Sequence, residues 1–470
     1  MYISYEQNRR NKRRRIIGAI LLSLISFGAG CGTSIVMAKE HVPVEEEIRV
    51  AEDAMMTVAS SAEVTAAQMQ RITELAMEQQ NLETEAVEAS IPLIVLDPGH
   101  GGEDEGCARA GVLEKDINLS IAKAVKQKLE QMGYDVLMTR EGDADVSLEQ
   151  RVCLANEKQA SLYISIHQNA CEEESSDIRG VETYYSSTKG QDGSERLAKL
   201  LQKEITGQTD APGRDVIDGE ELYVVRETAM PSCLVETGFL SSREDRELLT
   251  TTEYQDRLAA AIADSVELYC HPKTMYLTFD DGPSAENTAV VLDILKEHNI
   301  KATFFMVGEN VERHPEIAKR IVEEGHTVGI HCNRHEYEEL YASVDAYIAD
   351  FEEAQRIVYE TTGVETKLFR FPGGSINAYD KAVYQDIIEA MTEKGYIYYD
   401  WNASLEDAVS VSTPESLLAN GVESTMGRKR VVLLAHDVVY NTTLCLDDLL
   451  DQFPEYEMLP LTEEVEPVQF

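Results

Sequence analysis

Short β-rich runs alternate with amphipathic helical patterns along most of this chain, and this alternation restricts its fold more than any other feature. Such alternation is typical of α/β layers, in which helices cover a largely parallel sheet. The first alternating series covers residues 91–271 and predicts one α/β domain. Its predicted strands are Ile91–Asp97, Tyr134–Thr139, Leu162–His167, Val181–Tyr185 and Cys233–Thr237, and its predicted helices are Asn118–Met132, Leu148–Lys158, Ser194–Ile205 and Tyr254–Tyr269.

A second alternating series covers residues 272–455 and predicts another α/β domain. Its predicted strands are Met275–Phe279, Ala302–Val307, His326–Ile330, Leu368–Phe371, Tyr396–Asp400 and Val431–Ala435, and its predicted helices are Thr288–His298, Pro315–Glu324, Ala342–Tyr359 and Leu444–Phe453. Roughly six β/α units in this length are compatible with a shortened or distorted β/α barrel. Residues 456–470 are predicted to be an acidic tail, unstructured from Pro460 to Phe470.

The first 90 residues differ in composition from both series. Residues 1–15 hold six basic side chains and one acid, and residues 16–38 hold no charge. Because about 20 apolar residues can span a bilayer and the basic end stays in the cytoplasm, we predict a single-pass anchor with the bulk of the chain outside. A cleaved signal peptide is the alternative. Residues 39–90 contain helix formers with a thin heptad pattern, which predicts a helical stalk or linker capable of weak self-association.

The overall charge argues against nucleic acid as a partner. The chain has 85 acidic and 42 basic residues, a formal net charge of −43. A surface this negative repels phosphate backbones. The charge therefore predicts that nucleic acid is not a partner of this protein.

Four polar side chains of the first series stand at predicted strand ends and turns. His100 lies in DPGHGG, Glu114 in LEKD, His167 in SIHQNA and Glu236 in VETGF. Two histidines and one glutamate are a common catalytic zinc set with an open position for water. A further carboxylate can then act as a general base. The pattern predicts a metal-dependent hydrolytic site.

The segment from about Ile91 to Cys270 resembles the zinc-dependent N-acetylmuramoyl-L-alanine amidases of the Amidase_3 type. The resemblance is carried, in order, by DPGHGG, LEKD, the helix that contains Arg151, SIHQNA, RGVETYY and LVETGFLS. It implies that Zn²⁺ is held by His100, Glu114 and His167. Glu236 would activate the water. The implied reaction is hydrolysis of the amide between the lactyl group of muramic acid and the first stem alanine.

Paired carboxylates, Asp280 and Asp281, close the first predicted strand of the second series in TFDDGP. His331 and His335 are four residues apart, so one helical turn would bring both imidazoles to the same face. With one of the aspartates they would form a site suited to zinc or another divalent metal, and the other aspartate would remain as a base. Other predicted strand ends, which form the active-site face of a β/α barrel, carry Arg370, Asp400, Trp401 and His436.

The second series, from about Lys273 to Phe453, resembles polysaccharide deacetylases of the NodB-homology type (carbohydrate esterase family 4), with five characteristic motifs in order. The resemblance implies that Asp280 is the catalytic base and that the metal is bound by Asp281, His331 and His335. It also implies that His436 is the general acid and that Trp401 lines the groove. Arg370 would tune Asp280, and Asp400 would orient Arg370.

Two positions depart from the pattern of these deacetylases. Gly373 stands where many members have tyrosine, and Cys332 stands where serine or threonine commonly follows the first histidine. A backbone donor survives the change at Gly373, so we expect catalysis to persist with a different substrate groove. Cys332 is either a metal-binding thiolate or a small residue tucked against the site.

The two resemblances together predict a bifunctional extracytoplasmic enzyme that acts on peptidoglycan glycan strands and stem peptides. Amidase action would free the lactyl carboxylate of muramic acid, and deacetylation would free the neighbouring amine, so the two could close a muramic lactam. Deacetylation of glucosamine residues is the competing prediction. The alternatives are an active amidase with a catalytically silent, glycan-binding second domain, or a membrane-tethered wall scaffold.

Overall fold

The computed structural model of the protein describes residues 91–172, 177–187, 193–408 and 412–470. The predictions for residues 1–15, 16–38 and 39–90 lie outside the described residues. No helix in the described ranges is both long enough and apolar enough to cross a membrane. The chain divides into two compact units, one comprising residues up to Ala263 apart from Lys199–Glu204, the other Lys199–Glu204 and Asp264–Phe470.

A six-stranded sheet with helices around it forms the first part of the chain. Its strands are β1 (Leu93–Pro98), β4 (Asp135–Met138), β5 (Leu162–Asn169), β6 (Val181–Tyr185), β7 (Gly213–Asp218) and β8 (Ser232–Phe239), and β2 (Ala108–Arg109) pairs with β3 (Val112–Leu113) as a separate hairpin. Its helices are α1 (Glu114–Met132), α2 (Leu148–Glu157), α3 (Ser194–Thr209), α4 (Tyr223–Glu227), α5 (Arg243–Leu249) and α6 (Thr252–Cys270).

The strand order β4-β1-β5-β8-β6-β7 is parallel throughout except between β6 and β8. Residues Ile94–Leu96 of β1 are completely buried, as expected of a parallel strand covered on both faces. The predicted mixed α/β architecture is confirmed. This register places His167 of β5 opposite Glu236 of β8.

Helix α1 shows why the predicted helices form where they do. Its buried residues Ile117, Ile121, Val125 and Leu129 recur every four positions and make one apolar stripe against the sheet. The helix ends at Gly133, whose φ of 98° suits a residue without Cβ. This packing fixes the first turn of α1, which carries Glu114.

The second part of the chain is built on a curled sheet of parallel strands. These are β9 (Lys273–Asp280), β10 (Thr303–Val307), β11 (Thr327–Cys332), β12 (Leu368–Phe369), β13 (Ile397–Tyr398), β14 (Ala403–Ser404), β15 (Arg430–His436) and β16 (Tyr456–Met458). The helices are α7 (Asn287–Glu297), α8 (Gly308–Arg313), α9 (Pro315–Glu323), α10 (Tyr337–Leu340), α11 (Val344–Thr362), α12 (Tyr384–Glu393), α13 (Pro414–Thr425) and α14 (Tyr440–Asp451).

The curled sheet has the order β13-β12-β11-β10-β9-β15-β14, and β16 pairs with the beginning of β9. Its shape is that of a half-barrel, in agreement with the distorted barrel expected from the sequence. Parallel strands place their carboxyl ends along one edge, and β9, β11 and β15 end there at Asp280, Cys332 and His436. The candidate residues of the second motif set therefore gather at this edge.

The prediction of an unstructured segment from Pro460 to Phe470 is wrong. Leu461 is completely buried and packs in a cluster with Tyr399, against which Val465 and Val468 also lie. The Tyr399 hydroxyl lies within hydrogen-bond distance of the carbonyls of Thr462 and Val465, at 2.9 and 2.7 Å, and can donate to either of them. The apolar residues between the acids cover the sheet, so a net negative segment without regular secondary structure is still ordered.

Candidate functional site

The predicted ligands of the first site converge on one point. His100 follows β1 with a φ of 61°, Glu114 opens α1, and His167 lies near the end of β5. Glu114 Oε1 is 3.1 Å from His100 Nε2 and 3.0 Å from His167 Nδ1. One donor atom from each residue lies within 4.8 Å of the others. This compact set of two imidazoles and one carboxylate fits a divalent cation.

The Glu114 carboxylate is held as an anion. It accepts hydrogen bonds from Cys107 N at 2.8 Å, Gln168 N at 3.1 Å and Asn118 Nδ2 at 3.2 Å. Burial alone would raise the pKa of Glu114, but the hydrogen bonds and charges of His100 and His167 hold it well below its usual range. An ionised carboxylate is the form that binds a metal.

Side chains around His100 orient its imidazole and hold the backbone of its loop. His100 Nδ1 donates to Asp104 Oδ2 at 2.8 Å, which leaves Nε2 free to face Glu114. Arg151 donates to the His100 carbonyl at 2.8 Å, and Arg140 donates to the Pro98 carbonyl at 2.9 Å. Sequence reasoning did not identify Arg140 or Asp104, because side-chain bonds to a loop backbone leave no local pattern.

Glu236 stands beside this triad as a separate carboxylate. It faces His167 across β5 and β8, and Glu182 across β8 and β6. Its Oε2 is buried and has no hydrogen-bond partner within the described part of the chain. Burial, and then the charges of Glu114 and Glu182, raise the pKa of Glu236 well above its ordinary value. Glu236 is therefore better suited to accept a proton than an ordinary glutamate.

The predicted ligands of the second site also converge. Asp281 Oδ1 is 3.3 Å from His331 Nε2 and 3.4 Å from His335 Nε2, and the three donor atoms lie within 4.8 Å of one another. His331 Nδ1 donates to the Arg370 carbonyl at 2.9 Å, which leaves its Nε2 available as a ligand. Burial would raise the pKa of Asp281, but the nearby imidazoles hold it well below its usual range. This set also fits a divalent cation.

The expectation that His331 and His335 share a helical turn is wrong. His331 lies on strand β11, and His335 lies in the loop before α10. The loop is pinned because Asn333 N and Arg334 N donate to the Asp350 carboxylate at 2.6 and 3.0 Å. This turn still brings the two imidazole centroids to 5.4 Å, so the two side chains are close although they do not share a helix.

Arg370 connects the other predicted residues of the second site. It is fully buried, and its Nη1 donates to Asp280 Oδ1 at 2.9 Å. Its Nη2 reaches the main-chain carbonyl of Asp400 at 3.1 Å. The Asp400 carboxylate instead accepts from Ser375 N and Phe470 N at 2.8 and 2.9 Å. Asp400 thus contacts Arg370 through its backbone and not through its side chain.

His436 pairs with a carboxylate that the sequence did not reveal. Its Nδ1 donates to Asp407 Oδ1 at 2.7 Å, and Asp407 Oδ2 accepts from His436 N at 2.7 Å. Burial would lower the pKa of His436, but Asp407, followed by Asp280 and Asp281, raises it to about 9. His436 is therefore held as a proton donor on the site.

The two departures from the deacetylase pattern have clear surroundings. Cys332 is buried in the hydrophobic core, and burial raises the pKa of its thiol well above the ordinary value. It is therefore a packed small residue and not a thiolate ligand. Gly373 has a φ of 77° and lies against the ring of Tyr337. Trp401 is half-buried, with its ring 5.2 Å from that of Phe470.

Comparisons with known proteins find similar proteins for both parts of the chain. A family model for N-acetylmuramoyl-L-alanine amidase matches residues 94–268, and one for polysaccharide deacetylase matches residues 269–393. The germination-specific N-acetylmuramoyl-L-alanine amidase of Bacillus subtilis (strain 168) is 35% identical over 198 residues, which are 38% of this chain and 82% of that protein.

Two further relatives cover the two parts of the chain. The N-acetylmuramoyl-L-alanine amidase LytC of Bacillus subtilis is 40% identical over 176 residues, 37% of this chain but only 35% of LytC. A peptidoglycan-N-acetylglucosamine deacetylase of Bacillus cereus is 32% identical over 205 residues, 42% of this chain and 73% of that protein. The chain therefore belongs to two families of hydrolases, the N-acetylmuramoyl-L-alanine amidases through residues 94–268 and the polysaccharide deacetylases through residues 269–393.

Proposed function

We propose that this protein is a bifunctional peptidoglycan-modifying enzyme that hydrolyses the N-acetylmuramoyl-L-alanine amide bond and removes the N-acetyl group of a wall amino sugar. One observation carries the proposal: each ligand triad has beside it a carboxylate that is not part of the triad and has little contact with water. These are half-buried Glu236 in the first site, through its inaccessible Oε2, and Asp280 in the second, through its buried side chain. A metal set with a neighbouring base is the arrangement that amide hydrolysis requires.

In the proposed amidase, His100, Glu114 and His167 hold Zn²⁺. A divalent cation in either site would supply Lewis acidity, which activates water and polarises the amide carbonyl. Glu236 takes the proton from water as it adds to the carbonyl and passes it to the departing amine of the stem alanine. Its desolvated position next to two other carboxylates favours the protonated form and so favours that uptake.

In the proposed deacetylase, Asp281, His331 and His335 hold Zn²⁺ or another divalent metal. Asp280 is the base, and Arg370 keeps it oriented at 2.9 Å. The proton for the departing sugar amine comes from His436, which Asp407 keeps charged. The half-buried indole of Trp401 lines the groove, and the Asp400 carbonyl helps to position Arg370.

The proposal extends to the order of products. Hydrolysis of the stem amide leaves a free lactyl carboxylate on muramic acid, and deacetylation of the same sugar leaves a free amine. Condensation of these two groups forms the lactam amide and releases one water. Deacetylation of glucosamine residues, the activity in the name of the Bacillus cereus relative, is the second candidate.

We further propose that the protein works outside the cytoplasm, tethered through residues 16–38 with residues 39–90 as a spacer and with domains over 91–271 and 272–455. The motivation is the uncharged run after a basic segment together with two families that act on the wall. Protease protection of a C-terminal tag in intact cells would contradict this topology, whereas accessibility of the tag agrees with it.

The decisive experiment compares two single-site variants of the full chain on purified peptidoglycan supplied with zinc. Mass spectrometry of the digested products measures stem-peptide release and acetyl loss on each sugar. We expect Glu236→Gln to lose stem release and keep acetyl loss, and Asp280→Asn to do the reverse. Each variant is the matched control for the other, since Glu236→Gln leaves the second site intact and Asp280→Asn leaves the first site intact.

The other outcomes decide between the alternatives. Stem release without any acetyl loss in the wild-type protein would make the second domain a glycan-binding module. Loss of neither group would leave a wall scaffold. Muramic lactam that is unchanged in cells carrying Glu236→Gln would refute the coupled route. Removal of metal with a chelator should stop both reactions, and added Zn²⁺ should restore stem release.

A further inference from the structure

A tyrosine from a different element lies against the turn that carries Gly373. A Cβ atom placed on Gly373 would be 3.1 Å from Tyr337 Cε1 and 3.2 Å from Tyr337 Oη. Tyr337 is the first residue of the short helix α10, far along the chain from Gly373. The phenol ring of Tyr337 on α10 thus fills the space beside Gly373 that a side chain at that position would occupy.

The same phenol borders the candidate metal set. The Tyr337 ring meets the His335 ring edge-on, with 5.0 Å between centroids and an interplanar angle of 90°. On another side it stacks on Tyr379, with centroids 4.8 Å apart. Tyr337 is half-buried and Tyr379 is 55% exposed, so the pair forms an open aromatic wall that begins at a ligand imidazole.

Neighbouring contacts hold Tyr337 in this place. The hydroxyl of Tyr341, one turn further along, donates to the Pro372 carbonyl at 2.8 Å, next to Gly373. Asn377 Nδ2 donates to the same carbonyl at 3.2 Å. The Tyr341 bond fastens the end of α10 to the glycine turn, and the Asn377 bond holds the turn itself, so the phenol is positioned before any ligand arrives. Preorganised donors cost little reorganisation during a reaction.

The Tyr337 hydroxyl is available to a ligand. Across the described residues it makes no hydrogen bond, whereas the hydroxyl of Tyr341 is engaged. A phenol can donate one hydrogen bond, and deacetylation develops negative charge on the acetyl oxygen. An unengaged donor between a ligand imidazole and the glycine turn therefore matches the chemistry of the proposed reaction.

We propose that Tyr337 is a substrate-binding residue of the second site, whose Oη–H donates to the carbonyl oxygen of the acetamido group and to the oxyanion that forms there. Tyr379 stacks on the Tyr337 ring and supports it from the solvent side, and it is given no contact with the substrate. This inference rests on the proposed deacetylase function and names the residue that recognises the acetyl group.

The test uses Tyr337→Phe in the full chain, with Tyr379→Phe as the matched control. Both changes keep the stacked rings and remove one hydroxyl. Binding is measured by calorimetry in the Asp280→Asn background with tetra-N-acetylchitotetraose and with the fully deacetylated tetramer. We expect Tyr337→Phe to weaken binding of the acetylated tetramer about 3- to 10-fold, the effect of one lost neutral hydrogen bond. The deacetylated tetramer, which has no acetyl oxygen, should bind unchanged.

Turnover gives a second readout, measured in proteins that retain Asp280. We expect Tyr337→Phe to lower kcat for deacetylation about 10- to 100-fold, with a smaller change in KM, as for loss of an oxyanion donor. Tyr379→Phe should leave both constants unchanged. Metal content, measured by mass spectrometry, must equal that of the wild-type protein, which separates a donor role from damage at His335.

The outcomes separate this inference from the function on which it rests. An active wild-type protein with unchanged Tyr337→Phe constants, or an equal loss of affinity for both tetramers, would leave Tyr337 with a packing role only. If the metal-loaded wild-type protein neither binds nor deacetylates acetylated glycans, the deacetylase proposal itself fails, and this inference fails with it.

Discussion

At the residue scale, the first site depends on a glycine that lets the turn after β1 approach strand β5. A Cβ on Gly99 would lie 2.1 Å from His167 Cε1, a distance that no real structure tolerates. We predict that Gly99→Ala displaces His167, lowers the zinc content of the purified protein and reduces stem release at least 100-fold. The expectation follows because small displacements of a catalytic group cost about 10²-fold.

Gly142→Ala is the matched control for this change, since a Cβ on Gly142 would meet no atom within 4 Å. It should retain metal and activity. Metal analysis and stem release are measured on the same preparations, and the deacetylase activity of each preparation reports its folding. A Gly99→Ala protein with full zinc content would show that His167 adapts or is not a ligand.

The pairing of His436 with Asp407 predicts a pH effect. With its pKa raised to about 9, His436 carries a proton through neutral pH and loses it as the pH rises through that value. Removing the negative charge by Asp407→Asn lets the pKa fall towards its ordinary value. We therefore expect the alkaline limb of the deacetylation rate to move to lower pH, as measured by kcat/KM between pH 6 and about 10.

The amidase rate of the same Asp407→Asn protein should keep its original pH profile and so serves as the internal control. An alkaline limb that does not move would mean that another group is the proton donor.

The candidate ligands predicted from the sequence come together in the structure, whereas some of the residues that support them were not predicted. His100, Glu114 and His167 stand in short motifs, because each must be presented at the end of a strand or helix. Asp407 does not, since its partner His436 is 29 residues away along the chain and the contact exists only after β14 and β15 pair. The resemblance to the deacetylases implied that Asp400 orients Arg370, but its carboxylate accepts hydrogen bonds from the backbone N–H groups of Ser375 and Phe470 instead.

At the element scale, predictions succeeded where burial imposes a period. The strands β1, β5, β6 and β8 and the helices α1 and α2 were predicted close to their observed bounds, because each buries a repeating set of apolar residues. Strand β7 (Gly213–Asp218) was missed because its residues are polar and largely exposed at the edge of the sheet. The loop that carries His335 was read as helix because spacing alone does not show that Asp350 bonds to its backbone.

The C-terminal segment gives a stability prediction at this scale. Leu461 is completely buried, and its N–H donates to Thr303 Oγ1 at 2.8 Å. We expect Leu461→Ala to destabilise the second unit by about 2–4 kcal/mol, since it leaves a cavity in the cluster. The change is measured as a shift of the unfolding transition in urea.

Leu459→Ala is the control, because Leu459 is 37% exposed and loses little buried surface. Its transition should move by less than about 0.5 kcal/mol, the usual range for surface changes. Equal effects of the two substitutions would contradict the packed tail.

At the scale of the whole molecule, the presence of two candidate hydrolytic sites in one chain restricts the kind of substrate on which the protein can act. Both candidate sites have a separate carboxylate beside a possible metal-binding set, and the two families to which the chain belongs are N-acetylmuramoyl-L-alanine amidases and polysaccharide deacetylases. The sequence supplied this combination through its motifs. It could not supply the orientation of side chains around each site, because those contacts join residues from distant parts of the chain.

Covalent connection of the sites predicts a concentration effect. Two sites in one chain meet the same glycan at an effective concentration set by their connection, and this commonly reaches the millimolar range. At about 10 nM enzyme, we expect an equimolar mixture of Glu236→Gln and Asp280→Asn proteins to form doubly modified muramic acid at least about 10-fold more slowly than the wild-type protein. Mass spectrometry of timed digests measures this product. Because two separate encounters are needed in the mixture, the difference should shrink as enzyme concentration rises, and equal rates at all concentrations would mean that the two sites act independently.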